Sequence, residues 1–168
     1  NPTITTSVTT SQTAVPTGFT VGINVPVGHS TLGRAQVTLP TGMEINPAFT
    51  NGPLQACTTA LIDAGGSGCP ATSDVGNVTL TTPLLATIQS GDVYLETPGA
   101  TGATRYKLAI VVHLPGRDLV IHGSALVNGS SDLTGGAGAI DSGTGRVSTD
   151  FNNLPDMAFT NMTLTFNS

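Results

Sequence analysis

The chain has 168 residues, a length that fits one domain around one hydrophobic core. Hydrophobic residues make up 38% of the chain, but charged residues make up only 9%, far below the roughly 25% of ordinary soluble domains. The formal charge is −5 and the five Lys and Arg residues are scattered, so no basic stretch can neutralise nucleic-acid phosphates or an anionic membrane surface. No apolar run approaches the roughly 20 residues of a membrane span. We therefore expect neither a nucleic-acid partner nor insertion into a membrane.

Thr, Ser, Gly and Asn take the place of the missing charged residues. Hydroxyl-bearing side chains suit the outer faces of strands, and Gly and Asn suit tight turns. Glu and Lys, which usually cover the solvent-facing side of helices, are scarce, so the composition disfavours a helical fold. The chain begins with Asn1 in place of an initiator Met and shows no signal peptide, which predicts a mature or excised form. Together with the low charge, this composition predicts a secreted protein of the cell surface.

The N-terminal segment TITTSVTT, residues 3–10, alternates apolar and polar side chains. Ile4, Thr6 and Val8 fall on one side of a period-2 pattern, which predicts a strand. Two interpretations of this segment stay open. It is the first strand of the domain, or it is donated to the open sheet edge of a neighbouring subunit. In the second case the Thr-rich segment 1–15 is the exchanged part of the domain.

Eight further apolar or alternating runs follow, separated by Gly, Pro and Asn turn signals. The predicted strands lie at 19–27, 34–39, 75–82, 93–96, 106–114, 119–128, 146–151 and 161–167. About nine short strands at this spacing predict an all-β fold with one short helix. The expected architecture is an antiparallel two-sheet β-sandwich, immunoglobulin-like or jelly-roll, formed by the single domain 1–168.

The one helix is predicted inside an insert at 40–75, over residues 58–64. Thr58 or Thr59 could cap its start, because a threonine hydroxyl can accept a bond from the first free N–H groups. Gly65-Gly66 would end it.

The two cysteines, Cys57 and Cys69, lie in the same insert and permit two interpretations. They form a disulfide in an oxidising compartment, or they are free or metal-bound in the cytosol. The histidines are distant in sequence and form no paired zinc signature. The composition favours the disulfide, which would contribute roughly 3 kcal/mol by the loop-entropy relation.

A series of motifs occurs in a fixed order along the chain. They are LPTGMEINPAF at 39–49, ACTTA at 56–60, CPATSDVGNVTLTTPLL at 69–85, GDVYLETP at 91–98 and DSGTGRVSTDFNNLPDMAFTNMTLTF at 141–166. In this order they resemble a β domain that is repeated in tandem in very large secreted or surface proteins of actinobacteria. The resemblance covers about residues 35–167 and implies a β fold and an extracellular location, but no activity. This chain departs from that family by holding a single copy with a Thr-rich extension in front.

Candidate catalytic residues are few. Nucleophilic catalysis needs a Ser or Cys beside a His that a carboxylate orients, and no G-x-S-x-G elbow occurs. His122 alternates with Val120 in a predicted strand, which is typical of a sheet-face residue. The Asp residues fall mostly in turns, where Asp is common, and no Trp is present to line a sugar cleft. We expect no enzymatic activity.

Calcium is the one cofactor for which the sequence offers ligands. Asp132, Asp141 and Ser142 lie in a long loop at 128–145 and carry suitable oxygens. The loop lacks the D-x-[DN]-x-[DN]-G pattern, so solvated turn residues are favoured and no cofactor is expected. Three N-x-[ST] sequons also occur, at Asn77, Asn128 and Asn161.

Two functions of different classes follow. The first is a non-enzymatic structural module, a subunit or repeat of a surface fibre or adhesin that associates with identical or similar modules. Low surface charge favours this association, because little repulsion opposes close packing. The alternative is an adhesin domain that binds a glycan, a protein or calcium through the 128–145 loop or the 40–75 insert. An ice-binding face is disfavoured, because the threonines form no regular T-x-T array over equal repeats.

Overall fold

The structure is a computed structural model of the chain. It describes residues 1–12, 15, 17–28, 32–38, 48–49, 52–53, 55–97, 107–126, 148–152 and 154–167. Within these residues the chain is antiparallel β-sheet with one short helix, α1 (Thr59–Asp63), and a 3-10 turn (Ala71–Ser73). The strands are β1 (Thr3–Val8), β2 (Phe19–Asn24), β3 (Arg34–Thr38), β4 (Ala48–Phe49), β5 (Gly52–Pro53), β6 (Asp74–Thr81), β7 (Gln89–Glu96), β8 (Lys107–Leu114), β9 (Arg117–Leu126), β10 (Ser148–Asn152) and β11 (Asn161–Phe166). The prediction of an all-β fold with one short helix is confirmed.

Nine of these strands form one antiparallel sheet in the order β1-β2-β11-β6-β7-β8-β9-β10-β3. From β6 to β10 each strand pairs with the next along the chain. β11 returns to pair with β6, and β2 and β1 extend the sheet beyond it. β3 pairs with β10 at the other end, so β1 and β3 are the two edges of the sheet. β4 and β5 form a separate two-stranded ladder.

The large sheet curls until its apolar face closes on itself. Leu119 and Ile121 of β9 line the same small cavity as Met162 of β11. Four strand-to-strand steps separate β9 from β11 in the sheet, which would be about 19 Å in a flat sheet. Leu154 and Phe159, from the segment between β10 and β11, fill the same space. The core is therefore sandwich-like, but both of its walls come from one continuous sheet.

Alternation along the strands explains which side chains enter this core. In β6, Val78 and Leu80 are fully buried, whereas Thr79 between them is exposed. Successive residues of a strand point to opposite faces, so a period of two sorts the side chains. The strand β8 differs, because every residue from Leu108 to Val112 is buried. Its second face is covered by the insert that carries α1.

The helix ends as the sequence predicts, but it begins differently. Gly65 and Gly66 have φ angles of 93° and 78°, and their N–H groups donate back to helix carbonyls, which is a common glycine-terminated helix end. Thr58 occupies the N-cap position but makes no side-chain cap bond. The predicted threonine cap is thus wrong. The hydroxyl of Thr59 donates instead to Glu96 on the sheet, where it attaches the helix rather than capping it.

Candidate functional site

The strand β1 is an edge strand, and all six of its residues are exposed. Its register sets Ile4 opposite Ile23 and Val8 opposite Phe19. Ile23 and Phe19 are buried, whereas Ile4 and Val8 are 59% and 45% exposed. Natural edge strands are commonly protected by charges, a proline or a bulge that hinders further pairing. The segment TITTSV has no charge and no proline, and its pairing with β2 is uninterrupted. No other strand of the described residues pairs with its outer edge, so a further strand can add there.

The backbone of β1 alternates between groups that bond β2 and groups that point away from the sheet. Thr9, just beyond the strand, donates its N–H to the Gly18 carbonyl at 3.0 Å. In an antiparallel ladder the directly bonded positions recur at every second residue. The odd-numbered residues of β1 therefore bond β2, and Ile4, Thr6 and Val8 direct their N–H and C=O groups outward.

Threonine side chains close the hairpin between β1 and β2. Thr9 Oγ1 accepts the N–H of Gly18 at 2.8 Å. Thr17 Oγ1 accepts the N–H of Thr10 at 3.1 Å and donates to the Thr10 carbonyl at 3.0 Å. The two hydroxyl oxygens of Thr9 and Thr17 lie 3.2 Å apart. We call these four residues the threonine clasp; it holds β1 against its own chain.

A second cluster joins the insert to the sheet through Thr59, Asp63, Glu96 and His122, which we call the polar clamp. Glu96 ends β7, and it is fully buried. Its Oε1 accepts the Thr59 hydroxyl at 2.5 Å, and its Oε2 lies 2.8 Å from His122 Nδ1. His122 Nε2 lies 3.0 Å from Asp63 Oδ1. The first and the last residue of α1 are thereby tied to β7 and β9.

The disulfide lies beside the clamp. Cys57 and Cys69 are joined, with their Cα atoms 5.2 Å apart. The N–H of Cys57 donates to the Leu95 carbonyl at 2.8 Å, and its carbonyl accepts the Thr97 N–H at 2.8 Å. Ile62 of α1 is fully buried in the small core that these contacts enclose. Because a helix this short is unstable alone, the disulfide, the clamp and this small core together hold it in place.

His122 is protonated more readily than an ordinary histidine. Burial lowers its pKa, but the hydrogen bonds and negative charges of Glu96 and Asp63 outweigh burial and raise the pKa above its usual value. Both ring nitrogens face carboxylate oxygens, which leaves neither nitrogen for a hydroxyl. The Thr59 hydroxyl donates to Glu96 rather than to the imidazole, so the clamp contains no nucleophile–base pair.

His113, on the same face of the sheet, is bound in a similar way. Its Nδ1 lies 2.7 Å from Asp118 Oδ1, and its Nε2 lies 3.4 Å from Asp92 Oδ2. The bond to Asp118 raises the pKa of His113 more than burial lowers it, and Asp92 adds to the rise. Next to this group, burial raises the pKa of Tyr94 to about 12, with further contributions from the charges of Asp92 and Asp74. These contacts join residues of β7, β8 and β9.

Several residues predicted from the sequence lie outside the described part of the chain. These are the calcium candidates Asp132, Asp141 and Ser142, the sequon residue Asn128, and the rest of the 128–145 loop. The calcium site and the loop-based alternative function thus stay predictions. Among the residues that are described, no group of three His, Cys, Asp or Glu side chains is placed to hold a metal ion.

A shallow groove of about 300 Å³ lies where the turn between β8 and β9 meets the segment after β6. Its lining is mostly apolar and also includes Arg117; the apolar residues are Leu84, Leu85, Leu114, Pro115 and Met157. Ligand sites usually combine an apolar pocket with several convergent polar groups. This groove offers apolar contacts but not several convergent polar groups.

The polar clamp is the feature that sequence reasoning missed. Glu96 and Glu44 are the only glutamates of the chain, and Glu96 ends the apolar run VYLE. A carboxylate in a buried strand needs partners, which is the signal that could have pointed to it. Which partners it has depends on the fold, because Thr59 and His122 lie 37 and 26 positions away.

Comparisons with protein-family models, with curated proteins and with solved structures find no match. No helix in the described ranges is long and apolar enough to cross a membrane.

Proposed function

We propose that the protein is a non-enzymatic structural module of an extracellular assembly, a subunit or repeat of a surface fibre or adhesin. It associates with copies of itself through β1. The observation that carries this proposal is the open outer edge of β1, with its exposed Ile4 and Val8 and its outward backbone groups. Adding a strand to such an edge satisfies the backbone groups and covers alternate side chains.

Three further features support the proposal. The disulfide between Cys57 and Cys69 suits an oxidising compartment outside the cell. The net charge of −5 over 168 residues opposes close packing of like subunits only weakly. The carboxylates on both nitrogens of His113 and His122 suit a structural role for these residues.

The test compares the wild-type chain with Thr6→Pro by size-exclusion chromatography with light scattering, and by negative-stain electron microscopy. Proline at position 6 removes an outward N–H and leaves the bonds between β1 and β2 intact, because only the odd-numbered residues bond β2. We expect the wild-type chain to associate and Thr6→Pro to be monomeric, with the same melting temperature as the wild type when both are diluted below the concentration at which the wild type associates.

Leu84→Ser is the matched control, because Leu84 is 70% exposed and lies beside the turn between β8 and β9 rather than on β1. It should associate like the wild type. A wild-type chain that stays monomeric at about 0.5 mM, where even weak complexes form, would overturn the proposal.

A further inference from the structure

We infer that two copies of this chain pair β1 with β1 in an antiparallel arrangement, across a twofold axis at Thr6, while each copy keeps its own β1. The inference rests on the proposed function and specifies its contact. The partner is a second copy of the chain, and the contact is the outer edge of residues 3–8.

The backbone fixes the register of this pair. The outward N–H and C=O groups belong to Ile4, Thr6 and Val8. When Thr6 faces Thr6 of the second copy, Ile4 faces Val8 and Val8 faces Ile4. Each of these pairs exchanges both of its bonds, so every outward group of the three residues is satisfied.

Other registers lose bonds. A shift towards the N-terminus brings in Pro2, which has no N–H to donate. A shift in the other direction brings in Thr10, whose N–H and C=O are already bonded to Thr17 in the threonine clasp. The register centred on Thr6 is therefore the one in which the three outward residues pair among themselves.

The side chains agree with the same register. Paired residues of an antiparallel ladder lie on the same face, so Ile4 of each copy packs against Val8 of the other. These are the apolar side chains of β1, and both are exposed in the single chain. On the opposite face, Thr5 meets Ser7, and both side chains are short and uncharged. In the joined sheets the apolar side chains of both copies therefore lie on one face, and the side chains of Thr5 and Ser7 lie on the other.

The threonine clasp explains why each copy keeps its strand. Donation of β1 to a neighbour would break the ladder with β2 or strain the clasp bonds between Thr9, Thr10 and the residues Thr17 and Gly18. Pairing through the outer edge breaks none of these bonds. It adds bonds to groups that water otherwise solvates.

The experiment is a cysteine scan of β1 in the full chain, with the native disulfide kept. Across the proposed pair, residue 6 faces residue 6 at a Cα distance of about 5.5 Å, and residue 5 faces residue 7 at about 4.5 Å. Both distances suit a disulfide. Residue 5 and its own copy are offset by two positions, roughly 8 Å, which is too far.

After mild oxidation, Thr6→Cys alone should form a covalent dimer on a non-reducing gel, with the linked peptide verified by mass spectrometry. Thr5→Cys alone and Ser7→Cys alone should stay monomeric on the gel, but a mixture of the two should crosslink. Each variant is also measured by light scattering under reducing conditions mild enough to spare the native disulfide, whose Cys57 is fully buried, so that the loss of the contact is distinguished from the loss of the crosslink.

The results separate this inference from the proposed function. Crosslinking of Thr5→Cys or Ser7→Cys alone, or an associated Thr6→Cys chain without a crosslink, would overturn the register and leave the proposed function standing. A wild-type chain that never associates would overturn both.

Discussion

The buried carboxyl group of Glu96 connects the helix α1 to the strand β9, because it contacts a residue of each. A carboxylate is tolerated in a protein interior only when it is hydrogen-bonded or paired with an opposite charge. Glu96 is fully buried, with the Thr59 hydroxyl on one oxygen and His122 on the other. The outer contact from His122 to Asp63 is weaker, because those side chains are 38% and 56% exposed and water screens them. The contribution of the clamp therefore depends mainly on a protonated His122 beside Glu96.

We expect the free energy of unfolding to fall as the pH rises from about 6 to about 9. The pKa values of His122 and His113 are raised in the folded chain, so the fold holds these protons more tightly than the unfolded chain does. This contribution is fully present below the unfolded pKa of about 6.5 and is lost as the pH passes the raised folded pKa. Urea unfolding at constant ionic strength over this range measures the change.

The control is His122→Gln, which keeps hydrogen-bonding groups but does not titrate. It should flatten the pH dependence and lower stability at pH 6 by about 1–2 kcal/mol. His113→Gln should flatten it less, because the His113 side chain is 47% exposed. Tyr94, with its pKa of about 12, titrates outside this window. Equal slopes in the wild type and in His122→Gln would show that His122 is not the titrating residue.

At the scale of elements, the insert keeps its structure because the disulfide crosslinks it and the polar clamp attaches it to the sheet. The helix α1 has five residues, too few to persist without tertiary contacts. We expect the double variant Cys57→Ala, Cys69→Ala to lose about 3 kcal/mol of stability. Hydrogen exchange should rise over 57–69, while β8 (Lys107–Leu114), in the middle of the sheet, keeps its protection. Equal loss of protection in both regions would mean that the insert and the sheet unfold as one unit.

The elements also show what the sequence could reveal. Alternating patterns and continuous apolar runs located the nine strands of the large sheet to within a few residues; β6, for example, was predicted at 75–82 and spans Asp74–Thr81. The strands β4 and β5 have two residues each, too few to show any period. Alternation shows which face of a strand is apolar but not what covers it, so the curl of the sheet was not predictable. The sequence also could not show which residues of β1 direct their backbone N–H and C=O groups away from β2, because this follows from the hydrogen bond between Thr9 and Gly18.

At the scale of the whole molecule, the sheet has two edges with different chemistry. β3 begins with Arg34, whose guanidinium donates to both carboxylate oxygens of Asp150 at 2.9 and 2.5 Å. A charged residue on an edge strand opposes pairing with a further strand, whereas β1 carries no charge. Symmetric pairing through β1 alone closes as a dimer. A fibre would need a second contact at another surface of the molecule.

This difference between the edges makes the salt dependence of association informative. The paired residues Ile4, Thr6 and Val8 are uncharged, and screening weakens ion pairs far more than backbone hydrogen bonds. We therefore expect the dissociation constant of the wild-type chain to change by less than about threefold between 20 and 500 mM NaCl, as measured by sedimentation equilibrium. Thr6→Pro, measured alongside, should stay monomeric at every salt concentration. A tenfold or greater loss of affinity with salt would place the contact at a charged surface such as the Arg34 edge, because a contact made of backbone bonds and apolar side chains does not respond in that way.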